Sequence, residues 1–118
     1  MAAASHRDLV VWQKAMDLTV QVYRLTARFP KNEMYRLTSQ VTRAAASVPA
    51  NIAEGNARAS RRDYANFLAI AKGSLNETET FLILALRLGY LREHELAPSM
   101  FLITEIGKML TALRARLV

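Results

Sequence analysis

The chain has no cysteine and only two histidines, His6 and His94, so few of its groups could act as nucleophiles or metal ligands. Neither histidine belongs to a His-Glu-x-x-His spacing, and His94 between Glu93 and Glu95 reads as a solvated helix start. Glu54, Glu77, Glu79 and Glu105 lack the Glu-x-x-His partners of a di-iron bundle. Neither Glu54-Gly55 nor Gly73-Ser74 is a phosphate loop, which needs several glycines and a lysine. The residues therefore predict no catalytic group, no metal, no cofactor and no evident small-molecule substrate.

What is left is positive charge. Sixteen Lys and Arg against ten Asp and Glu give a net charge of +6, and the pI is near 10.2. Such a balance favours an anionic partner, nucleic acid first, although a basic surface also serves solubility alone. The candidate phosphate contacts are Arg36, Arg43, Arg58, Arg61, Arg62 and Lys72. Three of them belong to a ladder, Arg36-Gln40-Arg43-Ser47-Asn51-Glu54-Arg58, with steps of three or four residues, which puts it on one helix face. The plainer reading is a solvated face with Glu54 and Arg58 as an ordinary i,i+4 pair. Trp12, Tyr23 and Tyr64 sit on apolar arcs and read as core. Tyr35 beside Arg36 and Tyr90 beside Arg92 are the better aromatic-basic pairs.

These groups must be carried by helices, because no stretch alternates with period two. A first helix is expected from Arg7 to Phe29, stopped by Pro30. Its apolar arc covers well over half the circumference, more than one bundle face uses, so a second copy is expected to cover the surplus. A second helix, capped by Asn32, is expected from Glu33 to Glu54, burying Met34, Leu37, Val41, Ala44, Val48 and Ile52. Within it lies the stretch Arg43 to Gly55, where small residues meet a proline. Either Pro49 separates two helices or it kinks one; the helical spacing of Val41, Val48 and Ile52 favours the kink. Ala45, Ala46 and Ala50 would let another backbone approach. Pro49, Asn51, Glu54 and Gly55 are read as structural, with Gly55 as a left-handed helix end.

Ser60 with Asp63 resembles a capping box opening a third helix, Arg61 to Leu88, which Gly89 closes. Gly73 inside it is expected to mark a close contact. A fourth helix is expected from Glu93 or Leu96 with Pro98 in its first turn; Leu96, Ile103, Leu110 and Leu117 repeat every seven residues, a bundle seam. Arg114 and Arg116 suit the negative end of its dipole. The expected fold is all-α: one domain over residues 1–118, an antiparallel up-down-up-down four-helix bundle with the second helix kinked at Pro49 and residues 1–6 as a flexible tail. With 118 residues and 52% hydrophobic content, one packed core is expected. No run approaches the roughly 18 consecutive apolar residues of a membrane span, and the opening Met1-Ala-Ala-Ala-Ser-His-Arg does not read as a signal peptide. A cytoplasmic location without a membrane partner is expected.

Several strings carry a resemblance. They are Leu9-Val-Val-Trp-Gln-Lys-Ala15, Phe29-Pro-Lys-Asn-Glu33, Gln40 through Gly55 with its Ala-Asn-Ile-Ala-Glu-Gly, Ile70-Ala-Lys-Gly-Ser-Leu-Asn-Glu77, and Leu88-Gly-Tyr-Leu91. Together they make the chain resemble the bacterial four-helix-bundle proteins encoded in 23S rRNA intervening sequences. Where that family usually has Tyr-Gly-Leu, this chain has Tyr35-Arg36-Leu37, which adds a charge at the foot of the ladder. The family is in turn similar to the accessory variability protein of diversity-generating retroelements, a ring of five bundles that associates with nucleic acid and a reverse transcriptase. The resemblance implies a homo-oligomer, a pentamer favoured, with rRNA or other nucleic acid as partner. It supplies no mechanism. The alternative is a scaffold or adaptor for an acidic partner or a reverse transcriptase.

Overall fold

Leu96, Ile103 and Leu110 recur every seven residues, and all three are buried along one seam, as their spacing requires. The structure, a computed structural model, describes residues 5–118. Its helices are α1 (Val10–Thr26), α2 (Leu37–Asn56), α3 (Arg61–Arg87) and α4 (Glu93–Ala115), preceded by a short 3-10 turn at His6–Asp8 and interrupted by another at Lys31–Glu33. Among the described residues there is no strand. The four helices form an all-α bundle 44 Å long, each packing on its neighbours in the order α1, α2, α3, α4 and back to α1. Side-chain pairs across neighbours run in opposite numerical order: Lys14, Gln21 and Arg28 of α1 and its following turn meet Glu105, Ser99 and Glu95 of α4. Ser47 and Asn56 of α2 likewise meet Ser74 and Tyr64 of α3.

The core follows the helical periods. Val11, Ala15, Leu18 and Val22 of α1 meet Leu37, Val41, Val48 and Ile52 of α2, Leu68, Leu75 and Leu82 of α3, and Ile106 of α4. The residues predicted for the second helix are buried except Met34, which is 52% exposed. The reason is local. Residues 31–33 form a 3-10 turn and α2 begins only at Leu37, so the 100° spacing that placed Met34 inside does not apply there. Glu33 is buried in its stead. Asn32 lies inside that turn and caps nothing. The tail expected over residues 1–6 lies outside the described residues at 1–4, while Ser5 Oγ accepts the Arg7 N–H and His6 stands edge-on to Trp12.

α2 runs unbroken through Pro49, so the proline does not separate two helices. A proline has no N–H to give to the carbonyl four residues back, here Ala45. That oxygen is approached instead by the Thr19 hydroxyl of α1 at 3.1 Å, which also lies 2.8 Å from the Ala15 carbonyl of its own helix. Ala45 is fully buried, as close packing requires, but Ala50 is exposed.

The glycines divide differently from expectation. Gly55 lies within α2 and is not left-handed. A Cβ there would stand 2.8 Å from the Phe67 Cβ and 3.0 Å from the Tyr64 ring, so α2 and α3 approach closely at Gly55. Gly73 has nothing within 4 Å of such a Cβ and faces outward. Gly89, at φ +81°, closes α3 as predicted, its N–H donating to the Leu86 carbonyl and that of Tyr90 to the Ala85 carbonyl. Ser60 Oγ accepts the Asp63 N–H at the start of α3. α4 begins at Glu93, which puts Pro98 in its second turn, not its first. It is long and apolar enough by composition to cross a membrane; here it packs between α1 and α3.

Candidate nucleic-acid interface

The polar ladder is real as a line on α2 and mixed in its chemistry. Arg36, Gln40, Arg43, Glu54 and Arg58 are exposed, whereas Ser47 and Asn51 are half-buried against α3. Asn51 Nδ2 donates to the Ser47 carbonyl at 2.8 Å and to Ser47 Oγ at 2.9 Å, and Ser74 of α3 donates to that same Oγ at 3.0 Å. Glu54 meets only Arg58, one turn on in its own helix, at 3.1 Å. Asn51 is thus held by its own helix, and Glu54 is not held by any neighbouring one. Gln40, Arg43 and Ser47 join Glu77 and Phe81 of α3 around a shallow cleft of about 350 Å³.

The six candidate phosphate contacts do not form one patch. Arg36 sits at the end where the α1–α2 and α3–α4 connections meet, its Nε 3.6 Å from Glu33. Arg43 is on the flank. Arg58, Arg61 and Arg62 cluster at the other end, around the α2–α3 turn. Lys72 points across to α4, donating to Thr111 Oγ1 at 3.2 Å, and shares a cleft of about 370 Å³ with Arg114. Among the described residues, Arg43, Arg61, Arg62 and Lys72 make no ion pair, while Arg36 and Arg58 do.

The structure adds residues that spacing along one helix did not select. Arg114 donates to the Ala65 carbonyl from α4, and Arg61 donates to the carbonyl of Arg116. Both C-terminal arginines thereby join the α3 side of the basic surface. Their only signal in the sequence was a place in the last turn of a helix, which a dipole argument explains without a ligand. At the opposite end the Tyr90 hydroxyl donates to buried Glu33 at 2.6 Å, and this bond, with some burial and the nearby carboxylate charge, raises the tyrosine pKa above its usual 10.0. Tyr90 is therefore occupied as a structural tie. Tyr35 is 90% exposed beside Arg36. No group of three or more His, Cys, Asp or Glu side chains converges to hold a metal ion among the described residues.

Comparisons with known proteins bear on the fold and the family. Among curated proteins none matches the sequence. A crystal structure of a protein of unknown function from the S23 ribosomal protein family of Bacteroides thetaiotaomicron is similar at 30% identity and a TM-score of 0.80, over 89% of this chain and 98% of that one. The model of the 23S rRNA-intervening sequence protein family matches residues 7–112, almost the whole bundle, and the chain belongs to that family.

Proposed function

We propose that the protein is a homo-oligomeric, basic RNA-binding bundle that acts by binding, with no catalysis of its own. The observation that carries the reading is the distribution of charge: a net +6 on a chain whose Arg43, Arg61, Arg62 and Lys72 have no carboxylate partner among the described residues. Unpaired surface cations displace counterions from a polyanion, and that release is what drives non-specific binding to nucleic acid. Family membership supports rRNA, or RNA that carries an intervening sequence, as the first partner to test.

Self-association is supported by two apolar outer faces. Met16, Val20 and Tyr23 form one exposed stripe along α1, and Leu84 and Leu88 form an apolar patch at the end of α3, with Ile70 exposed farther back along it. α1 and α3 lie across the bundle from one another, so the two look in opposite directions. Two different faces on opposite sides suit head-to-tail contact, which closes into a ring when the rotation between copies permits. Five copies is the number the resemblance implies. In such a ring each unpaired arginine recurs on every subunit, and individually weak contacts to one RNA accumulate. A cytoplasmic location goes with this reading.

Filter retention of rRNA fragments across a salt series tests the binding. Affinity should fall steeply and log-linearly with salt; no retention at low salt, or retention indifferent to salt, would sink the proposal. Light scattering should report a multiple of 13.2 kDa, and a monomer would remove the ring. The second reading, an adaptor for an acidic protein, is favoured if partners persist in pull-downs from nuclease-treated lysate.

A further inference from the structure

Where α2 ends, α3 begins and α4 runs out, the bundle carries an open cavity of about 470 Å³. That volume falls in the roughly 300–1,000 Å³ range of small-ligand sites. Its walls are of two kinds. Leu9, Leu113 and Leu117 supply an apolar floor beside the Tyr64 ring, and Arg58, Arg61 and Arg116 stand around the opening. Arg58 is already engaged, paired with Glu54 and lying 4.8 Å over the Phe67 ring. Arg61 and Arg116 make no ion pair among the described residues, and the Arg61 guanidinium is held in place by the Arg116 carbonyl. An apolar recess under two uncompensated guanidinium groups fits a ligand that joins a flat apolar body to an anion.

We infer that this cavity receives one unpaired nucleotide of an RNA strand, an inference that rests on the nucleic-acid reading above. The base lies on the leucine floor and the Tyr64 ring, as bases do on apolar and aromatic platforms in single-strand binders. The phosphate sits at Arg61 and Arg116, whose planar forks match its oxygens. Asn56 and Ser60, also in the wall, present polar groups to the base edge or the ribose. A base inside a duplex is stacked on both faces and cannot enter, so the cavity selects loops, bulges and strand ends.

The test uses the full chain, isotope-labelled, with the four ribonucleoside monophosphates as probes. Resonances of Tyr64 and Leu113 should shift on titration. Arg61→Gln with Arg116→Gln should weaken this binding by about tenfold or more, the size expected for losing charge-assisted hydrogen bonds. Ala59→Trp, which fills the recess and leaves every arginine in place, should weaken it similarly, while Arg87→Gln, at the far end of α3, should not. RNA with an unpaired end should lose affinity in both cavity variants and a blunt duplex should lose none in Ala59→Trp. If the wild type retains structured RNA but no monophosphate moves the cavity resonances, the cavity inference is wrong and the binding reading stands. Dodecanoate shifting those resonances where monophosphates do not would also overturn it, in favour of a lipid-like anion. If no RNA is retained at all, the wider reading fails, and the monophosphate titration alone decides the cavity.

Discussion

Both ends of the bundle carry basic side chains, and several of them are used in opposite ways. At the end formed by the α1–α2 and α3–α4 connections, Arg28 pairs with Glu95, Arg36 faces Glu33, and Glu33 accepts from Tyr90, whose ring packs 5.5 Å from Phe29. At the other end Arg61, Arg62 and Arg116 have no acidic partner among the described residues, and Arg61 and Arg116 line an open cavity. A formal charge therefore says little about availability. Arg28 and Arg36 at the first end tie loops together, whereas at the second end Arg58 is paired with Glu54 but Arg61, Arg62 and Arg116 are left to meet an external anion.

The contrast can be broken by substitution. The largest effect on stability is expected at the closed end. Glu33→Ala removes the acceptor of Tyr90 and the partner of Arg36 together, and should lower unfolding free energy in urea by roughly 2 kcal/mol, the scale of a lost hydrogen bond to a buried charge. At the open end stability resides in packing rather than charge. Gly55→Ala places a methyl against the Phe67 Cβ, and despite the better helix propensity of Ala it should cost about 1–2 kcal/mol. Thr19→Val, between the two ends, should cost about 1 kcal/mol by leaving the Ala45 carbonyl without a donor. In a Pro49→Ala background the helix supplies its own N–H, so the Thr19→Val cost should shrink; unchanged cost in that double-mutant cycle would refute the link.

A pH series sharpens the comparison further. Because the folded-state pKa of Tyr90 is raised, the folded chain holds its proton above pH 10 where the unfolded chain loses it. Stability should be steady below about pH 10 and fall above it, and Tyr90→Phe should flatten part of that fall. Tyr64, raised by burial alone, contributes to the remainder. The smallest change in stability is expected from Arg61→Ala or Arg62→Ala, within about 0.5 kcal/mol. Each should nonetheless reduce the salt slope of RNA binding by about one.

How far the sequence foretold these features depends on what each one rests on. Heptad spacing located Leu96, Ile103 and Leu110 correctly, and Gly89 and Ser60 stand at the helix ends where local chemistry placed them. Periodicity failed where the chain leaves the α-helix: a 3-10 turn carries Glu33 in and Met34 out. It also could not say what lies opposite. The close contact expected at Gly73 is found instead at Gly55, which was expected to end a helix: Gly55 meets Phe67 and Gly73 meets nothing within 4 Å. The candidate phosphate contacts were chosen along single helices, and Arg36 was thereby grouped with residues at the far end of the molecule. Arg116 entered the open end only through tertiary packing.

The meeting of Thr19 with the Ala45 carbonyl has a consequence for how the chain finds its register. A seam of alanines is smooth, and smooth surfaces permit one helix to slide along another by a turn at little cost in contact area. Pro49 leaves one oxygen on that seam without a partner, and only one hydroxyl on α1 is at the right height to serve it. A slip of one turn would strand the Ala45 oxygen, while the Thr19 hydroxyl would keep only the Ala15 carbonyl of its own helix. The imperfection in α2 thus acts as a notch that indexes α1 to its one native height.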